Sequence, residues 1–225
     1  MTDVADGDAP EDLLACHAET AYFWGHVAGG GDVEADEITV RAPDEACAER
    51  LVTIAGGGAV DRQRTERPYA HDTSVTRVED EYRVTVTVTG DVAARASVAF
   101  GLPTGDERGG YRLDALADAD RQLLRGLLES CGTVCFKSSG TVGVSFVHDD
   151  RALLDAVDGL LDACPVDAPT DEIRETSSGG YWFGVDDAAA EPFGRWVYEG
   201  SEETGLFAPT RRRKLHRSLE RAENA

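Results

Sequence analysis

The stretch LLRGLLESCGTV, residues 123–134, decides how the rest of the chain is read. Leucines at 123, 124, 127 and 128 share one helical face, and Gly132 followed by Val134 is the step at which a helix stops and a strand starts. Cys131 stands directly before that closing glycine. About one hundred residues upstream, YFWGHVAGGGDV at 22–33 has the same shape, with Gly30 in the matching place. Gly25 and Gly126, 101 residues apart, hold the same slot in the two stretches.

The flanking sequence repeats as well. A helix is expected over 13–28, with the small stripe Leu14, Ala18, Ala21, Gly25 and Ala28, ended by Gly31. A strand over 38–41 and a helix over 44–54 follow, with Asp44 as N-cap. YRVTVTVT alternates with period two, so 74–78 and 82–89 are read as a hairpin with its tip at VEDEYR, and 91–100 as a third helix. GLPTGDERGG, 101–110, is turn-rich. The order then recurs: helix 116–131, hairpin 133–137 with 142–146, helix 150–164, hairpin 172–176 with 181–185, helix 187–198. The expected class is α+β, two pseudo-symmetric αββαββα repeats produced by duplication. They divide the chain into an acidic, disordered 1–10, repeats at 11–101 and 113–199, a linker at 102–112 and a basic tail at 200–225. Gly25 with Gly29, and Gly126 with Ser130, would let two helix backbones approach closely at a pseudo-two-fold axis.

The formal net charge is −21, and lysine occurs only at Lys137 and Lys214. Acid excess with lysine depletion suits a salt-rich, halophilic cytoplasm, where screening lengths fall to about 3 Å and charge repulsion costs little. This removes the usual inference that an acidic protein avoids nucleic acid. No apolar run approaches the roughly 18 residues that cross a bilayer. The N-terminus lacks the basic and apolar regions of a signal peptide, so a soluble, cytoplasmic protein without a membrane partner is expected. Five cysteines form no zinc spacing. His17 and His26 are nine apart rather than four and read as packed or edge histidines, so no metal site is expected.

The two stretches resemble the motif of the LAGLIDADG homing endonucleases in their single-chain, two-motif form: an apolar helix with Gly third, closing acid-small-acid-Gly. Residues 23–31, FWGHVAGGG, fit the first motif, and 124–132, LRGLLESCG, fit the second better. The segment RWVYEGSEETGLFAPTRRRKL, 195–215, is similar to the family's closing segment, an aromatic helix end followed by a loop and a basic run. The resemblance implies two four-stranded antiparallel sheets forming a saddle in the DNA major groove, with the motif helices packed at its centre. It also implies that the last acid of each motif holds divalent metal, usually magnesium, against the scissile phosphates.

Those two positions are Gly30 and Cys131 here. Glycine offers no ligand, and a thiol is soft where magnesium takes hard oxygen donors. Asp32 and Glu129, two residues away on either side, are the substitutes available. DNA contacts are expected from Arg62, Arg64, Arg67, Arg77, Arg83, Lys137, Arg211, Arg212, Arg213 and Lys214. The reading favoured is a monomeric, non-cleaving nucleic-acid binder with no cofactor, its partner DNA and, as a second candidate, RNA. The alternatives are a magnesium-dependent endonuclease using nonstandard carboxylates and a protein-interaction module.

Overall fold

A computed structural model of the chain describes residues 13–69, 72–88, 91–105 and 109–224; along 65–69 and 72–79 it describes the backbone alone. The acidic 1–10 segment, and 106–108 of the expected linker, lie outside the described residues. The first half runs α1 (Ala18–Gly30), β1 (Gly31–Val33), β2 (Glu37–Ala42), α2 (Glu45–Ile54), β3 (Ala59–Tyr69), β4 (Asp72–Thr87) and α3 (Val92–Phe100). A 3-10 segment, Leu113–Ala119, opens the second half. It is followed by α4 (Asp120–Ser130), β5 (Gly132–Phe136), β6 (Val142–His148), α5 (Arg151–Ala163), β7 (Arg174–Glu175), β8 (Tyr181–Val185) and α6 (Asp187–Tyr198). The chain closes with α7 (Ser201–Thr204) and α8 (Pro209–Glu223).

The halves build the same sheet. The strand orders are β1-β2-β4-β3 and β5-β6-β8-β7, with antiparallel pairing throughout. Alternation sorts each strand: Ile38, Val40 and Ala42 of β2 and Tyr82, Val84 and Val86 of β4 are buried against the helices. In the second sheet Val144 and Phe146 pair with Val185 and Phe183, and the two phenyl rings stack at 5.5 Å. Residues of opposite parity form the outer faces.

α1 and α4 cross between the sheets, and the crossing has no room for a side chain. A Cβ on Gly25 would lie 2.5 Å from the Leu123 carbonyl oxygen, and one on Gly126 would lie 2.4 Å from that of Tyr22. Gly29 faces Ser130, whose hydroxyl donates to the Gly126 carbonyl at 2.9 Å.

Four local expectations differ from the structure. The tip expected at VEDEYR lies inside β4, which pairs with β3 from Thr85↔Ala59 to Asp72↔Tyr69. The described β3 side chains, 59–64, are all exposed, so this ribbon runs past the core and carries no apolar alternation to read. α1 begins at Ala18, not 13, with His17 as N-cap. The helix expected over 116–131 is a 3-10 segment followed by α4. The basic tail is helical in α8: Leu215 and Leu219 are buried, and Leu215 packs on Gly194 of α6.

Substituting Gly126→Val drives two backbones apart and should cost about 3 kcal/mol or more, at the upper end of overpacking penalties. Gly159, inside α5 with nothing within 4 Å of an added Cβ, is the contrast: Gly159→Ala should stabilise by roughly 0.5–1 kcal/mol. Urea unfolding of the two variants measures both signs.

Candidate functional site at the helix seam

α1 and α4 end side by side, and β1 and β5 leave from their C-termini. Gly30 carries no donor, and a Cβ there would have only the Ser130 Cβ nearby, at 3.7 Å. Cys131 is half-buried, and its thiol donates to the Leu127 carbonyl at 3.3 Å. Burial pushes that thiol up to about 12, so it stays protonated at neutral pH.

The substitute acids part company. Asp32 is exposed and pairs with Thr39, whose hydroxyl reaches its carboxylate at 3.4 Å. Both stand on the outer face of the first sheet, opposite the buried parity of Val33 and Ile38. Glu129 is fully buried. It accepts the Tyr22 hydroxyl at 2.6 Å and the Ala208 N–H at 2.9 and 3.0 Å. Its carboxylate fastens the start of α8 to the motif helices and does not reach an outer face.

Around Glu129 lies a polar knot that sequence reasoning missed. Arg125, one turn earlier on α4, is 1% exposed. It donates to the carbonyls of Val197 and Leu206, each at 2.7 Å, and of Glu199 at 3.3 Å, with its guanidinium 5.8 Å from the Tyr198 ring centroid. Burial lowers its pKa and the Glu129 charge opposes that shift. On the other side His26 Nε2 lies 3.4 Å from Glu129 and 3.7 Å from Cys47 Sγ, all three fully buried. Burial raises the Tyr22, Cys47 and Tyr198 pKa values, and the Glu129 charge adds to each shift. The one available signal was Arg125 itself, a cation set among four leucines on a helix otherwise read as core.

The expected DNA-contacting cations are dispersed. By register, Arg83 shares the outer face with Arg41 and Asp61. Arg62 and Arg64 have the parity of Tyr82 and so stand on the helix side. There Arg62 pairs with Asp80 at 2.7 Å, and Arg64 reaches Asp80 at 3.8 Å. Arg67 and Arg77 pair in register; their side chains lie outside the described residues. Lys137 is bound to Asp187. Arg212 is bound to Glu202 at 2.7 Å, and Arg211 is half-buried beside it. Arg213 and Lys214 are exposed on α8, where Arg213, Arg217 and Arg221 recur every fourth residue and line a groove of about 380 Å³ against Cys135 and Phe136 of β5.

A LAGLIDADG family model described as "Putative archaeal homing endonuclease" matches residues 1–225. The chain belongs to the LAGLIDADG homing endonuclease family. Two solved structures share its fold. One is the homing endonuclease I-WcaI bound to its DNA recognition sequence, with TM-score 0.57, 10% identity, and coverage of 90% of this chain and 88% of that one. The other is I-DmoI in complex with DNA and Ca, with TM-score 0.53, 13% identity, and coverage of 88% and 97%. No curated protein matches by sequence. Among the described residues no helix is long and apolar enough to cross a membrane.

The magnesium implied by the family does not fit the residues at the motif ends. Gly30 has no side chain, Cys131 offers a protonated thiol, and Glu129 is committed to the core. Among the described residues the one convergent group of potential ligands is His26, Cys47 and Glu129, away from both outer faces.

Because burial raises the pKa of several cysteine and tyrosine side chains, the folded state should weaken in alkali. Cys131 ionises near 9.0 when unfolded and near 12 when folded, so the unfolded state releases the proton first. Stability is full below pH 9 and falls as pH rises toward 12; the shifts of Cys47, Tyr22 and Tyr198 have the same sign. Denaturant midpoints at pH 7, 9 and 10.5 test this. At pH 8, alkylation followed by peptide mass spectrometry should label the exposed Cys16 and Cys135 well before Cys47 and Cys131.

Proposed function

We propose that this chain is a LAGLIDADG-derived nucleic-acid binder, with DNA as its partner, that holds the saddle of a homing endonuclease without its cleavage chemistry. The observation that carries the reading is the donor set at the seam. In-line attack on a phosphodiester needs metal to activate water and stabilise the leaving oxygen, and the motif-end positions offer Gly30 and a protonated Cys131. A single chain carries both halves of the saddle, so a monomer suffices.

DNA binding is supported by the common fold with I-WcaI and I-DmoI, both solved on DNA, and by the outer-face chemistry. Thr39, Arg41, Arg83 and Thr85 share one face by register; Thr133, Cys135 and Ser145 share the other. Hydroxyls and guanidinium groups are the donors that read base edges and phosphates. The α8 row Arg213, Arg217 and Arg221 adds phosphate contacts beside β5. A net charge of −21 opposes a polyanion at long range. Salt screens that repulsion while it weakens each phosphate contact, so the salt dependence should be shallower than for a basic protein with the same contacts.

Asp32 favours a second reading, an endonuclease using a displaced carboxylate, because it alone of the two substitutes stands exposed on an outer face. Gel retardation with genomic DNA fragments, matched RNA and a salt series separates the readings. The expected result is retarded DNA, no cleavage in Mg²⁺ or Mn²⁺, and loss of about two units of salt slope in the double variant Arg213→Glu, Arg217→Glu. Metal-dependent nicking abolished by Asp32→Ala establishes the second reading instead. Absence of retardation at every salt concentration overturns both.

A further inference from the structure

We propose that His26, Cys47 and Glu129 form a structural zinc-type metal site inside the helix seam, distinct from the family's magnesium position and fastening the two repeats to each other.

Three elements deliver the three donors: α1 brings His26, α2 brings Cys47 and α4 brings Glu129. The ligand atoms lie within 4.8 Å of one another. His26 Nε2 is 3.4 Å from Glu129 Oε2 and 3.7 Å from Cys47 Sγ. The nitrogen–oxygen separation is long for a hydrogen bond, which clusters near 2.9 Å for that pair. The two His26 separations match the edges of a tetrahedron around zinc, which bonds of 2.0–2.3 Å place at about 3.3–3.7 Å; Cys47 and Glu129, within 4.8 Å of each other, close onto the ion.

The surroundings support a bound cation. Tyr22 donates to Glu129 Oε2 at 2.6 Å, and the Ala208 N–H holds the same carboxylate. These are the outer contacts that orient a ligating carboxylate. The buried Tyr198 hydroxyl also interacts with the Glu129 carboxylate, as a further outer contact. One thiolate and one carboxylate cancel the charge of a dication, so the filled centre is neutral in a site with no solvent access. Imidazole and thiolate together select zinc over magnesium or calcium. Ligation forms bonds from Cys47 Sγ, His26 Nε2 and Glu129 to the ion and releases the thiol proton to solvent.

The whole chain, expressed in medium supplemented with Zn²⁺ or Co²⁺, is assayed for metal by mass spectrometry. The expected content is one ion per chain. The cobalt form should show thiolate-to-metal charge transfer and tetrahedral d–d absorption, lost in Cys47→Ser. Because Cys47 is a core residue, a variant with Cys16, Cys131, Cys135 and Cys164 all changed to Ser decides the assignment even if Cys47→Ser fails to fold. Its spectrum should be unchanged. Chelation should lower the midpoint of thermal unfolding of the zinc form. Trace metal only in the folded wild type, or a charge-transfer band lost in the fourfold variant, overturns the proposal. DNA retardation is scored separately, so failure of this site leaves the binding reading standing.

Discussion

At the crossing of α1 and α4, Gly25 and Gly126 bring two helix backbones within side-chain distance, and the other contacts between the repeats follow from that approach. It sets Gly29 against Ser130 and aims Tyr22 at Glu129. It also fixes how far apart the two sheets begin, since β1 and β5 leave directly from the helix ends. The packing is stringent because the obstacles are carbonyl oxygens and amide groups, which cannot change rotamer. A flexible side chain could yield by a few tenths of an ångström; a helix backbone moves only as a whole.

So close a crossing excludes water, and the polar groups beside it have to be satisfied from within. Arg125 spends three donors on the carbonyls of Val197, Glu199 and Leu206, where α6 ends and the chain turns toward α8. Glu129 takes the backbone N–H that begins α8. Asp44, the N-cap of α2, accepts from both the backbone and the hydroxyl of Thr210. The C-terminal helix is therefore fastened by three charged side chains, two from the second repeat and one from the first. Replacing Arg125 or Glu129 by an apolar residue would leave buried partners unsatisfied, which is the costly direction for such a network, whereas Thr210 is exposed and would turn to water on loss of Asp44. Its effect is positional: it sets the α8 row Arg213, Arg217 and Arg221 along β5.

The duplication and the glycine crossing were legible because each rests on a local pattern repeated at a fixed distance. Period two in YRVTVTVT marks the part of β4 that covers helices; the remainder of the β3–β4 ribbon has no core to face, and its extent was lost with the pattern. In the tail the RRRK run masks the helical signal, which the buried pair Leu215 and Leu219, four apart, carries. Cys47, His26 and Glu129 could not be joined from sequence: 21 and 103 residues separate the other two from His26, and only the packing of α1, α2 and α4 brings them together.

The two acids that the second motif would carry have met different physical fates. The position of Glu129 is inside the seam, where a carboxylate organises Tyr22, Ala208 and the start of α8, so its loss would be felt in the fold itself. The position of Cys131 is at the helix end, where the half-buried thiol donates to the Leu127 carbonyl and rests against Gly29, and in the first repeat Gly30 does without any side chain. A metal ligand held there is supported by the ion and its phosphate rather than by the core. A carboxylate at 129 and none at 30 and 131 is therefore the pattern expected of the proposed binder, in which packing holds the first position and leaves the other two free to vary.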